Sequence, residues 1–141
     1  MEKVDYTDTF ITVSPDSTAS TGQVPAERGG KPTVASAMYH LLADNPYRYR
    51  SSDVIFDVWA DRQDIADDDR PEARAQFYAR SRACLRSSDL PKRYGWGIHA
   101  DSAGFLAVYA VDSDEYRGLV AGTAPDGTAV TVRPGMRSSR R

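Results

Sequence analysis

The residues with the most reactive side chains fall within one short stretch of the chain, 83–101. It contains the only cysteine, Cys84, and one of the two histidines, His99. If the chain doubles back at Pro91, the thiol and the imidazole could meet as a nucleophile and its base. Asp101, two positions beyond His99 and so on the same face of a strand, is the candidate third member. The alternative is that Cys84 is a small buried apolar side chain and His99 an ordinary strand residue.

Cationic and aromatic side chains in the same stretch predict a pocket for an anionic small molecule. Arginine offers paired N–H donors to phosphate or carboxylate, and aromatic rings offer a stacking surface. Gly95 and Gly97 would let a ligand approach the backbone closely. The candidate ligand-binding residues are Arg86, Lys92, Arg93, Tyr94 and Trp96, with Lys31 from an earlier segment. The alternative is a solvated turn followed by a strand whose tryptophan belongs to the core.

Lys31 lies in a glycine-rich segment just before a predicted helix, where it would face an anion. The segment lacks the spacing of a nucleotide-binding P-loop, because position 25 is proline where that motif has glycine. Pro32 also removes a backbone donor. The sequence therefore predicts no nucleotide cofactor.

The alternating segment Tyr47-Arg48-Tyr49-Arg50 is typical of single-stranded nucleic-acid binding by stacking. The alternative is that the tyrosines pack under the helices while the arginines stay in water. The net charge of −2 gives the whole molecule no field that would attract nucleic acid or anionic lipid.

Acidic residues concentrate in the segment 61–69. The glycine and the final glutamate of a calcium-binding loop are both missing there. One cysteine and two histidines are also a poor set of metal ligands. We therefore expect a solvated acidic connector and no metal.

The composition is that of a soluble globular protein, with 40% hydrophobic and 27% charged residues in 141 positions. No apolar run reaches the roughly 18 residues of a membrane span, and the N-terminus lacks the apolar core of a signal peptide. A single cysteine cannot form an internal disulfide. These features predict a cytoplasmic protein.

The predicted fold is a single α+β domain, 1–141, with 1–8 and 135–141 as loose tails. A small antiparallel sheet is built on a C-terminal hairpin, about 95–111, and packs with three to four helices. Thr9 to Val13 would add a third strand, and Thr128 to Val132 an edge strand. A strand is the alternative for Val54 to Trp59, but the preceding caps favour a helix with Ile55, Val58 and Trp59 inward.

The first helix is predicted to begin at Thr33 and to end before Pro46, and a later one to begin at Asp112-Ser113. Trp96 is expected to be at least partly buried on a strand paired with 105–111.

The chain resembles a group of small bacterial proteins classed only as a domain of unknown function. The resemblance runs from about Thr9 to Tyr116, and its most specific block is Arg93-Tyr94-Gly95-Trp96-Gly97-Ile98-His99. Further matching blocks are Gly30-Lys31-Pro32-Thr33-Val34-Ala35, Asn45-Pro46-Tyr47-Arg48-Tyr49 and Ala83-Cys84-Leu85-Arg86-Ser87-Ser88. The resemblance implies a stand-alone bacterial domain and carries no chemistry with it.

The sequence thus predicts a cytoplasmic binding module whose anionic small-molecule ligand lies at the mouth of the hairpin. An enzyme using Cys84 and His99 is one alternative. A protein or single-stranded nucleic-acid interaction module is another.

Overall fold

A four-stranded sheet forms the centre of the structure, a computed structural model that describes residues 1–138. The strands are β1 (Thr9–Thr12), β2 (Trp96–Ala100), β3 (Leu106–Ala110) and β4 (Thr131–Pro134). Their order is β3-β2-β1-β4. β2 is antiparallel to both β1 and β3, whereas β4 is parallel to β1. The prediction of an antiparallel sheet is therefore wrong, because the sheet is mixed.

The direction of β4 has no local signal in the sequence. A parallel neighbour must be brought round by a long connection, and here α5 (Asp114–Val120) and the loop after it lie between β3 and β4. All four residues of β4 are exposed, so no alternation of apolar and polar residues marks the strand. It also begins at Thr131, three positions later than predicted.

The described residues form five α-helices, one more than the largest number predicted. The first four are α1 (Val34–Asp44), α2 (Ser51–Arg62), α3 (Arg70–Tyr78) and α4 (Asp89–Arg93). The unexpected helix is α4, whose Pro91 lies within the first turn, where no backbone N–H is needed. Within residues 1–138, no helix has the length and apolar character needed to cross a membrane.

Two of the predicted helix starts are confirmed. The Thr33 side chain caps α1 by accepting a hydrogen bond from the backbone N–H of Ser36, and Ser113 caps α5 by accepting one from Tyr116. The Ser36 hydroxyl in turn accepts from the N–H of Thr33 at 3.0 Å, which completes a capping box.

The two faces of the sheet are covered by different elements. Ile98 and Ala100 belong to the main core with Leu42 of α1, Val54 of α2 and Leu90 of α4. Because successive side chains of a strand alternate, Gly97 and His99 of β2 point to the opposite face. That second face is covered by α5 and the chain after it, whose Tyr116, Leu119 and Ala124 cluster with Phe10.

The helix predicted for residues 54–59 is confirmed, but it buries two sides. Val54 and Val58 enter the main core, while Phe56 and Ala60 form a separate cluster with Phe77 of α3. Ile55 and Trp59, predicted to face inward, are only half-buried. The prediction missed Phe56 because the helical pattern alone does not show that α3 covers the second side.

Both predicted tails contact the folded chain. Val4 is buried, and the Asp5 carboxylate accepts hydrogen bonds from the backbone N–H and the hydroxyl of Ser52, each at 2.8 Å. At the other end Gly135 is buried and donates its N–H to the Thr12 carbonyl at 2.9 Å. Residues 139–141 of the second tail lie outside the described residues.

Candidate functional site

The two arginines of the predicted hairpin pocket have partners on different elements. The guanidinium of Arg93 lies 3.4 Å from the carboxylate of Asp89, within α4. Arg86 donates from Nε to the Pro134 carbonyl, the last residue of β4, at 2.7 Å. Trp96 is half-buried on β2, as predicted, and donates its indole N–H to the Gln23 carbonyl at 2.8 Å. Its ring packs against Tyr39, with centroids 5.0 Å apart.

The glycines beside Trp96 make room for the chain itself. A Cβ on Gly97 would lie 2.7 Å from Cε2 of Tyr116 and would also overlap the Phe10 ring. Gly95 has a φ of +77°, and a Cβ there would collide with the Thr21 carbonyl. Side chains and backbone therefore fill the space that was expected to admit a ligand.

Cys84 and His99 are not brought together. The thiol lies 3.2 Å from the hydroxyl of Tyr6, which donates a hydrogen bond to it. Burial, followed by this bond to Cys84, raises the pKa of the Tyr6 phenol. Cys84 lines a cavity of about 480 Å³ with Tyr6 and Tyr78, whereas His99 lines a separate one of about 210 Å³. The third predicted member, Asp101, shares the cavity of His99.

Of the remaining candidates, Lys92 is half-buried on α4 and Tyr94, also half-buried, follows that helix. Neither residue lines the cavity of Cys84 or the cavity of His99.

The predicted stacking residues 47–50 point to different partners. Arg50 places its guanidinium 4.4 Å from the centre of the Phe105 ring, and its Nε donates to the Ala103 carbonyl. Tyr47 contacts His99, Tyr49 packs against the main core, and Arg48 is exposed. They do not form one continuous stacking surface. In residues 1–138, no cluster of three His, Cys, Asp or Glu side chains could hold a metal ion.

Lys31 lies at a cavity of about 850 Å³ beside the start of α1, which we call the basic cavity. Three cationic side chains line it, together with an apolar surface and two carboxylates. The cations are Arg28, Lys31 and Arg62, the apolar residues are Val34, Ala37 and Val58, and the carboxylates belong to Asp61 and Asp64.

Backbone geometry holds the cations at the basic cavity. Arg28 and Lys31 exchange two backbone hydrogen bonds, of 2.9 and 3.1 Å, across the turn Gly29-Gly30. Both glycines have positive φ, 60° and 74°, as a tight turn of this kind requires. Arg62, the last residue of α2, donates from a terminal guanidinium nitrogen to the Pro32 carbonyl at 3.2 Å. That bond ties the turn to α2.

The cations of the basic cavity are available to a ligand. Within residues 1–138, Arg28, Lys31 and Arg62 form no ion pair, whereas Arg74 pairs with Asp53 at 2.9 Å. A guanidinium already paired has little charge left to offer. The Asp61 carboxylate is held by Arg70 at 2.7 Å.

Sequence reasoning found Lys31 and missed its two neighbours. A two-residue Gly-Gly turn is a recognised signal for pairing of the residues on either side, so Arg28 could have been placed beside Lys31. Arg62 had no such signal, since it is far along the chain and reaches the cavity only because α2 packs beside α1.

A comparison with protein-family models gives a match, described as "Family of unknown function (DUF6157)", over residues 1–141. The predicted resemblance to a domain of unknown function is thereby confirmed. No curated protein and no solved structure matches the chain.

Proposed function

The chain belongs to the Family of unknown function (DUF6157), and we propose, from the basic cavity, that it binds an anionic small molecule. One observation carries the proposal: three cationic side chains without ion pairs, among the described residues, line one cavity. Its volume of about 850 Å³ is within the range of small-molecule sites, roughly 300–1,000 Å³.

The lining favours a ligand that combines an anionic group with an apolar part. Arg28 and Arg62 can each offer two parallel N–H donors to a phosphate or carboxylate, and Lys31 adds a compact charge. Val34, Ala37 and Val58 provide the apolar surface. The start of α1 adds its positive dipole end to the same side.

The proposed ligand is an anionic small molecule, as the sequence predicts, but the proposed site is the basic cavity and not the mouth of the hairpin. Of the predicted ligand-binding residues only Lys31 lines the basic cavity. Arg93 pairs with Asp89 within α4, and Arg86 donates to the Pro134 carbonyl of β4, so the two guanidinium groups contact different elements.

We place this binding module in the bacterial cytoplasm, with a small molecule as its partner. The single cysteine and the resemblance to small bacterial proteins support that location. An enzyme using Cys84 and His99 has less support, because the two side chains have different partners and line different cavities. A nucleic-acid module has less support because residues 47–50 point apart.

Calorimetric titration with phenyl phosphate tests the proposal, since this probe has one anionic group and one apolar ring. We expect Lys31→Ala and Arg62→Ala each to weaken binding roughly tenfold, equivalent to about 1.4 kcal/mol. Asp64→Asn should strengthen binding, because it removes a carboxylate from the lining. Higher salt should weaken binding, since exposed charges are screened.

Arg93→Ala is the matched control, because it removes one exposed cation from the site predicted at the hairpin. We expect unchanged affinity for that variant, and no measurable binding of phenol to the unmodified protein. Loss of affinity in Arg93→Ala, with Lys31→Ala unaffected, would refute the basic cavity and restore the hairpin site.

A further inference from the structure

A second cavity, on the opposite face of the sheet from the main core, contains a buried histidine in a hydrogen-bonded network. We call it the His99 cavity; its volume is about 210 Å³. The Tyr47 hydroxyl lies 2.8 Å from Nδ1 of His99 and 2.8 Å from the hydroxyl of Tyr109. The rings of Tyr47 and His99 meet edge to face, with centroids 5.5 Å apart.

Tyr47 is held in place by β3 rather than by its own helix or strand. Its φ is +59°, in the left-handed region that a residue with a Cβ seldom adopts. Its N–H donates to the Leu106 carbonyl at 2.7 Å, and the N–H of Leu106 donates to the Tyr49 carbonyl at 2.8 Å. These two bonds fix the segment against β3, so Tyr47 is a positioning residue for the imidazole.

His99 is only 4% exposed, and in the part of the chain that the structure describes only Nδ1 of its ring has a hydrogen-bond partner. Among residues 1–138, no hydrogen bond is made by Nε2, although the ring lines the cavity. Within residues 1–138, the only side-chain nitrogen or oxygen that is both fully enclosed and without a partner is Ser51 Oγ, so Nε2 of His99 is accessible from the cavity and can accept a hydrogen bond from an occupant.

The charges at the His99 cavity are negative. Asp101 and Asp126 line it, and no lysine or arginine among residues 1–138 does. The Asp101 carboxylate is oriented by the N–H groups of Ala103 and Phe105, at 3.0 and 2.8 Å. Hydrogen bonds from Thr128 lower the pKa of Asp126, while burial lowers the pKa of His99. The cavity therefore combines two carboxylates with a neutral imidazole near neutral pH.

We propose that the His99 cavity binds the ammonium group of a small organic amine, paired with Asp101 and Asp126 and donating a hydrogen bond to Nε2 of His99. In this arrangement Nδ1–H donates to the Tyr47 hydroxyl, which in turn donates to Tyr109, and Nε2 is left as an acceptor. Tyr47 and Tyr109 also line the cavity, so two aromatic rings lie close to the bound cation. The site is independent of the basic cavity.

Ethylammonium chloride is the probe, and ethanol is its neutral counterpart. With three non-hydrogen atoms, the probe binds no tighter than roughly millimolar, so NMR titration is the suitable measurement. We expect ethylammonium to shift the His99 ring nitrogens, chiefly Nε2, and ethanol to leave them unchanged. Phenyl phosphate should also leave them unchanged, so failure of this site and failure of the proposed anion site are distinguishable.

Asp126→Asn should weaken ethylammonium binding roughly tenfold, because the carboxylate faces the ligand from an exposed loop. Asp68→Asn is the matched control, an exposed carboxylate outside the cavity, and should bind as the unmodified protein does. An unchanged His99 ring on addition of ethylammonium would overturn the proposal, as would equal affinity of the two variants. The shift of the His99 ring nitrogens is measured on the unmodified protein, so it tests the proposal even if Asp126→Asn fails to fold.

Discussion

Replacing Gly97 by alanine tests whether the space beside this glycine is filled by the protein's own side chains or is open to a ligand. The new Cβ would enter the space of two fixed rings, Phe10 and Tyr116. These rings form an edge-to-face pair with centroids 5.1 Å apart, and Phe10 is fully buried. The Tyr116 hydroxyl also accepts the N–H of Val13 at 2.8 Å, so its ring cannot turn away without losing that bond.

The expected cost follows from these contacts. Overpacking a filled core costs about 1–3 kcal/mol. Disturbing an aromatic pair adds about 0.5–1.5 kcal/mol. Alanine also restricts the unfolded chain more than glycine does, which stabilises the folded state by about 0.4–1 kcal/mol. We therefore expect Gly97→Ala to lower the free energy of unfolding by about 2 kcal/mol.

Urea unfolding measures this change, and Gly118→Ala is the control. Gly118 lies within α5, where the nearest atom to a new Cβ is the Thr123 carbonyl oxygen at an ordinary 3.6 Å. That variant should gain up to about 1 kcal/mol from helix propensity. If Gly97→Ala proves as stable as the unmodified protein, the space beside Trp96 is open and the packing account is refuted.

Three further variants test a buried histidine, the contact of the N-terminus with α2 and the cap of α1. Burial lowers the pKa of His99, although the nearby carboxylates of Asp101, Asp126 and Asp8 act to raise it. The unfolded state therefore binds more protons than the folded state below about pH 6.5. The free energy of unfolding, measured in urea, should therefore fall from pH 8 to pH 5 by at most about 1.4 kcal/mol per pH unit. The variant His99→Gln should lack this part of the pH dependence. Asp5→Ala should cost about 1–3 kcal/mol by urea unfolding, since it removes both bonds to Ser52; no loss would mean that the N-terminus is loose. Thr33→Ala should cost about 1 kcal/mol by thermal unfolding through loss of the α1 cap, and an unchanged midpoint would contradict the capping box.

Local signals in the sequence were sufficient for several elements. Thr33 begins α1 because its side chain accepts a backbone N–H, and that requirement is met within three residues. The turn after β2 is equally local, because the Asp101 carboxylate accepts the N–H groups of Ala103 and Phe105, and Gly104 supplies a positive φ. The direction of β4 depends instead on how the chain returns after α5, which no local pattern records.

The candidate sites depended on tertiary packing in the same way. The stretch 83–101 is rich in reactive side chains, but Cys84 and His99 line separate cavities, and Phe10 and Tyr116 occupy the space at Gly97. The basic cavity joins residues on either side of a Gly-Gly turn with the far end of α2. Composition showed that cations were present, and only the packing of α1 against α2 brings three of them together.

The proposed function requires that an anionic ligand binds beside the start of α1. Its most direct test is a ¹H–¹⁵N NMR titration of the full chain with phenyl phosphate, following every backbone amide. We expect the largest shifts at Arg28, Lys31, Val34 and Arg62, and unchanged amide signals from Arg93 to Trp96. Shifts confined to the segment from Arg93 to Trp96, or none at the basic cavity, would contradict it.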